Sequence, residues 1–161
     1  MHNEQEFIGI IKENEGLIYK VTRLYANNKE DEQDLYQDIV YQLWRSFGSF
    51  RKEAKISTWM YRIALNTSIA WLTRAKKKRE HLPIGEWLTN ETDASDLVKD
   101  ERIEALYAII KQLNTIEKAI ILLYLEGKTY EEIENITGFT ATNIGTRLTR
   151  IKQKIRSQIK K

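Results

Sequence analysis

The sequence predicts an all-α protein made of two small helical domains joined by an acidic linker. Three observations carry that prediction. Apolar residues recur at helical spacing along most of the chain, and period-2 alternation does not. One proline and seven glycines among 161 residues leave few breakers inside elements. Finally, the stretch from Glu80 to about Asp100 departs from the rest, with Pro83, Gly85 and the polar run Thr89-Asn-Glu-Thr-Asp-Ala-Ser95. Such a shift reads as an interdomain linker. The expected division is therefore a domain over 1–80, a linker over 81–100 and a second domain over 101–161.

In the first domain Phe7, Ile11, Ile18, Val21 and Tyr25 fall near one stripe, with a break expected at Gly16. The next helix is predicted over about Asp31 to Ser46, where Leu35, Ile39 and Leu43 repeat at i, i+4, i+8. A loop containing Gly48 follows, and then a long helix from about Ser57 to Arg79. On that helix Met60, Ile63, Thr67 and Ala70 are expected to pack inward, which turns Arg62, Asn66, Ile69 and Thr73 toward another side. Phe47, Phe50 and Trp59 are expected in the core. Beyond the linker, helical patterns resume at Asp100 and run almost to the end.

Composition excludes several classes. Hydrophobic residues make up 42% of the chain, enough to bury a core, so disorder is not expected. There is no cysteine, hence no disulfide, no thiolate metal site and no cysteine nucleophile. The only histidines are His2, in an expected tail, and His81, at the linker edge. P-loop, G-x-G-x-x-G and H-E-x-x-H patterns are missing from the sequence. The expectation is a non-enzyme with no cofactor and no metal. The longest apolar run, Ala119–Leu125, is seven residues, where a membrane span needs about 20. The N-terminus, Met1-His-Asn-Glu-Gln-Glu, is acidic where a signal peptide would be basic. The expected location is the cytoplasm, without membrane insertion.

Net charge is only +3, but its distribution is uneven. Lys29 to Asp38 holds five acids against one lysine, and Arg74 to Arg79 holds five bases and no acid. Glu80 to Glu104 holds eight acids against two bases, and Arg147 to Lys161 holds seven bases and no acid. The alternation points to two polyanion-facing patches separated by segments that face something else.

The most specific pattern lies between Thr129 and Arg150. Thr129-Tyr-Glu-Glu132 is a capping box: the Thr side chain accepts from the Glu132 N–H, and Glu132 reaches back. Tyr130, Ile133 and Ile136 face one side, and Gly138 sits where a helix end needs left-handed geometry. Thr140 is a good cap for the next helix, with Phe139 placed to staple against Ile144. Ile144, Leu148, Ile151 and Ile155 form the stripe that faces the core. Thr142, Asn143, Thr146, Arg147 and Arg150 are left pointing away, and these residue types read base edges and clamp phosphates. The whole reads as a helix-turn-helix that meets DNA with its second helix.

The run Asp31-Glu-Gln-Asp-Leu-Tyr-Gln-Asp38 resembles the D-x-x-D-L-x-Q-[DE] signature of bacterial extracytoplasmic-function (ECF, group 4) sigma factors, which are related to the primary sigma factors. Leu43-Trp44, Phe50 and Ser57-Thr-Trp-Met-Tyr-Arg-Ile-Ala-Leu-Asn66 are similar to that family's T-W-L-x-x-I-A-x-N helix. The helix-turn-helix, with Tyr130-Glu-Glu-Ile133, Gly138, Ile144, Arg147-Leu148 and Arg150, resembles its second conserved domain. Together the two blocks cover most of the chain.

The resemblance implies a sigma factor that binds core RNA polymerase and directs promoter recognition, DNA opening and transcription initiation. A region 2-like bundle would meet the polymerase clamp and the −10 element, and a region 4-like domain the −35 element. It also implies a cognate anti-sigma factor as partner, and capture of a flipped base by the loop from Phe47 to Ile56. The residues agree. Asp34, Gln37, Asp38 and Tyr41 share one helix face at i, i+3, i+4, i+7. An acidic face would repel DNA and suits a basic protein surface, so these four are the expected polymerase contacts. Arg62 and Asn66, with Arg74, Lys76, Lys77 and Lys78, are the expected −10 contacts, the basic helix end binding phosphates. The chain departs from the family at Ala70 or Trp71, where an Asp is frequent, and at Thr73, where an Arg is, which removes one DNA-facing charge. A dimeric DNA-binding regulator would explain the second domain but leave the first unused. A third reading is a polymerase-binding adaptor without promoter specificity, which sequence-specific initiation in vitro would eliminate.

Overall fold

The computed structural model describes residues 4–50, 55–80 and 101–159. Among them eight helices follow one another and no strand occurs: α1 (Glu4–Glu13), α2 (Glu15–Tyr25), α3 (Lys29–Phe47), α4 (Ile56–Glu80), α5 (Glu101–Ile110), α6 (Thr115–Leu125), α7 (Tyr130–Thr137) and α8 (Ala141–Ile159). The chain separates into two compact units, drawn from residues 1–95 and 96–161. The predicted linker, 81–100, lies outside the described residues.

In the first unit α2, α3 and α4 pack against one another, and α1 covers α2 and α3. The break between α1 and α2 falls at Asn14, not Gly16. The Asn14 side chain donates to the Ile10 carbonyl at 2.8 Å, offering the backbone a partner that competes with helix continuation. Gly16 sits inside the first turn of α2. α3 starts two residues earlier than its periodicity suggests, because the Asn28 side chain accepts from the Asp31 N–H at 2.8 Å and caps it. Glu30, Asp31 and Glu32 then lie in its first turn, where they complement the helix dipole.

The core of this unit is Ile18, Val21, Leu24 and Tyr25 from α2, Leu35, Ile39, Leu43 and Phe47 from α3, and Met60, Tyr61, Ala64 and Leu65 from α4. Truncating one of the fully buried leucines to alanine costs about 2–5 kcal/mol in such a setting. Phe7 packs edge-on to Trp44 at 5.0 Å and tilted to Phe47 at 5.3 Å, which ties α1 to α3. The last buried side chain of α4 among the described residues is Ser68, whose hydroxyl donates to the Ala64 carbonyl. Ala70, expected to face inward, is exposed, and Ile63 is only half-buried. Ala70 lies on the outer face of α4, while Trp71 and Leu72 beside it stay half-buried.

In the second unit α8 packs on α5, α6 and α7. The apolar run Ala119–Leu125 forms most of α6, which is buried from Ala119 to Leu123. A helix apolar on every side belongs at the centre of a fold, and this one sits there. Ile133 and Ile136 of α7 and Ile144, Leu148 and Ile151 of α8 complete the core, with Ile155 half-buried at its edge.

Candidate nucleic-acid interface

The helix-turn-helix is fixed by caps at both ends of α7 and at the start of α8. The Thr129 hydroxyl accepts from the Glu132 N–H at 3.1 Å, while the Glu132 carboxylate accepts from the Thr129 N–H at 3.0 Å. Gly138 closes α7 with φ of 87°, a conformation that side chains disfavour, and its N–H donates to the Glu134 carbonyl. Thr140 caps α8 by accepting from the Asn143 N–H at 3.1 Å, and the Glu134 carboxylate accepts from the Ala141 N–H at 2.8 Å. Gly145 of α8 faces the Tyr130 ring of α7, and a Cβ there would stand in ordinary contact with it at 3.4 Å.

That turn presents Thr142, Asn143, Thr146 and Arg150 to solvent, with Arg147 half-buried among them. All five line one polar groove of about 650 Å³, shared with Asn114, Glu117, Thr140 and Lys154. The Arg147 Nε donates to Asn143 Oδ1 at 2.6 Å, and its guanidinium lies 4.6 Å over the Phe139 ring. Lys154 donates to the Glu117 carboxylate at 2.7 Å. Partial burial pushes the Glu117 carboxyl up, but the Lys154 ammonium, the Asn114 N–H and the charges of Lys154 and Arg147 outweigh it, so the group stays below its ordinary range. Glu117 also closes a capping box with Asn114 at the start of α6. Sequence reading missed Asn114, Glu117 and Lys154. The spacing Asn114-Thr-Ile-Glu117 repeats the cap pattern read at Thr129, and Lys154 follows Arg147 by two turns, so both signals were present.

In the first unit, the four residues expected on one face of α3 divide. Gln37 and Tyr41 line a largely apolar groove of about 600 Å³ with Phe7 and Ile8 of α1 and Tyr36, Val40 and Trp44 of α3. Asp34 is exposed. Asp38 turns the other way, accepting from Arg74 Nη2 of α4 at 3.1 Å. Tyr41, one of the expected contacts, is exposed, and so are Ile8 and Trp44, two apolar groups that charge-based reading passed over. Arg62, Asn66, Thr73 and Arg74 are exposed on α4. The side chains of Lys76, Lys77 and Lys78, and residues 51–54 of the loop before α4, lie outside the described residues. Trp59 and Phe47 are buried as expected, whereas Phe50 is half-buried, 4.7 Å from Trp59. Among the described residues no group of His, Cys, Asp and Glu is arranged to hold a metal ion, and no helix is long and apolar enough to cross a membrane.

Two family profiles match in the order of the two units: Sigma-70 region 2 over residues 10–78, and Sigma-70, region 4 over residues 103–155. The RNA polymerase sigma factor SigV of Bacillus subtilis is 30% identical over 151 residues, covering 89% of this chain and 84% of that protein. This chain belongs to the ECF sigma factor family. The ECF RNA polymerase sigma-E factor of Haemophilus influenzae is 28% identical over 151 residues, with 86% of this chain and 79% of that protein covered. In fold, the chain resembles the sigma factor RpoE of Bartonella quintana, solved in complex with the anti-sigma factor NepR, with a TM-score of 0.72 at 18% identity over 98% of this chain and 96% of that one. As an ECF sigma factor the protein binds core RNA polymerase and promoter DNA and directs transcription initiation.

Proposed function

We propose that this sigma factor divides its work between its two units, with α8 reading the −35 element and the α3–α4 pair serving polymerase and the −10 element. The groove of α8 carries the reading, because it gathers Thr142, Asn143, Thr146, Arg147 and Arg150 at the mouth of a helix-turn-helix. In the first unit, Asp34, Gln37 and Tyr41, extended by Ile8 and Trp44, form the polymerase face: an acidic edge beside exposed aromatic groups, the composition of a protein-docking centre. Asp38 supports that face from its pair with Arg74. Arg62, Asn66 and Arg74, with Lys76, Lys77 and Lys78 beyond, form the −10 surface.

The finer assignment is a group 4 factor related to the primary sigma factors, acting in the cytoplasm without catalysis. Its domains are 1–80 and 101–161 with a linker over 81–100. A cognate anti-sigma factor is a further expected partner, supported by solved neighbours that are themselves complexes with such factors. In-vitro transcription with core polymerase tests the division. Asp34→Ala with Gln37→Ala should lower polymerase association and leave upstream-element binding by the free protein unchanged. Unchanged polymerase association in a pull-down would reject the docking face.

A further inference from the structure

Arg147 is held at two points before any DNA arrives. Its Nε donates to Asn143 Oδ1 at 2.6 Å, and its guanidinium carbon lies 4.6 Å above the Phe139 ring. Each holder is itself anchored by the turn. Asn143 has its own N–H bound by the Thr140 cap at 3.1 Å. Phe139 stands between Gly138, whose φ of 87° sets the chain direction, and Thr140, and its N–H donates to the Thr137 hydroxyl at 3.3 Å. An arginine side chain ordinarily loses about 2 kcal/mol of rotamer entropy when fixed. Here the turn fixes it in the free protein, which is how pre-organisation raises affinity and specificity together.

We infer that Phe139 and Asn143 are positioning residues for Arg147, and that Arg147 is the specificity-determining base reader of the α8 groove. Nε is engaged by Asn143, and the terminal amino groups of an arginine form an end-on pair of donors. That end-on pair matches the N7 and O6 acceptors of a guanine in the major groove. The ligand class is therefore a G·C pair in duplex DNA, and Asn143 acts through Arg147 and reads no base of its own. Arg150 and Lys154 share the groove but lack such double support: Lys154 is held by Glu117, and Arg150 is exposed. Of the two, the exposed Arg150 is suited to phosphates. The inference deepens the −35 reading and rests on it.

The test uses the full chain in complex with core polymerase and a library of upstream elements carrying every single base-pair change. Arg147→Ala should erase discrimination at one base pair, that pair being G·C in the preferred site. Phe139→Leu, which keeps an apolar side chain but removes the ring face, should weaken discrimination at that same pair by about two- to fivefold, the range of an exposed cation–π contact. Phe139→Tyr should restore it. Asn143→Ala, at an exposed position, should act at the same pair, so the test survives even if the leucine variant folds poorly. Neither Phe139→Leu nor Asn143→Ala should change the salt slope, and neither should add to Arg147→Ala in the double variant.

Uniform weakening at all sequences by Phe139→Leu, failure of the tyrosine to rescue, or action of Asn143→Ala at a different base pair would overturn the inference while leaving α8 as the DNA-reading helix. If Arg147→Ala, Arg150→Ala and Thr142→Ala all bound the library as the parent does, the −35 reading itself would fall, and the inference with it.

Discussion

Arg74 of α4 donates to the Asp38 carboxylate of α3 at 3.1 Å, so a residue assigned to DNA and a residue assigned to polymerase are partners of each other. The Arg74 side chain is 65% exposed and that of Asp38 24%. A pair this open is screened by water and adds little to stability, although it sets Arg74 of α4 against Asp38 of α3. It also gives Asp38 a role inside the unit that its place in an acidic run does not suggest.

A double-mutant cycle measures the pair. Asp38→Ala and Arg74→Ala, alone and together, should show a coupling below about 1 kcal/mol in urea unfolding. A coupling of about 3 kcal/mol or more would mean the pair behaves as a buried strut.

The basic end of α4 should act through phosphates. Lys76, Lys77 and Lys78 lie in a run of bases with no acid between them, more charge than a helix dipole calls for. Changing all three to Gln should weaken holoenzyme binding at many promoters alike. The salt slope should shrink by roughly two to three units if all three meet duplex phosphates, and by less on melted DNA. Altered promoter ranking with an unchanged slope would make these lysines sequence readers instead.

Glu117 should give the second unit part of its acid sensitivity. Its folded-state pKa lies below the ordinary 4.5, held there by Lys154, the Asn114 N–H and Arg147 against partial burial. Its contribution to stability is therefore complete above about 4.5 and is lost as pH falls through the lowered value. Glu117→Gln should flatten the stability profile below that pH, and equal acid slopes in parent and variant would count against the linkage.

Gly138 holds the helix-turn-helix angle with φ of 87°. Gly138→Ala should cost about 1–2 kcal/mol, the penalty of a left-handed conformation for a residue with a Cβ. Nothing lies within 4 Å of where that Cβ would stand, so the cost is conformational rather than steric contact. Thermal unfolding reads it, and an unchanged midpoint would show that the turn relaxes at no expense.

Periodicity and cap chemistry are local, and the residues they govern were legible in the sequence. Leu35, Ile39 and Leu43, Ile144, Leu148 and Ile151, the Thr129–Glu132 box and the left-handed Gly138 stand where their spacing places them, because each depends on neighbours within about one turn. The exposed set Thr142, Asn143, Thr146 and Arg150 follows from the same arithmetic. The misplaced break at Gly16 shows the limit of that reading: a glycine leaves a helix easy to break, and it was the Asn14 side chain that broke it.

Contacts between elements distant in sequence were decided by the tertiary structure. Asp38 and Arg74 are 36 residues apart, and Glu117 and Lys154 are 37. Which acid meets which base depends on how helices cross, and a one-dimensional pattern carries no crossing angle. The division of Gln37 and Tyr41 from Asp38 has the same origin. By spacing all three share a helix face, and only the packing of α1 on one side and α4 on the other assigns the first two to an aromatic groove and the third to an arginine. Helical period sets which residues are available to a neighbour, and the position of the neighbour sets which of them it uses.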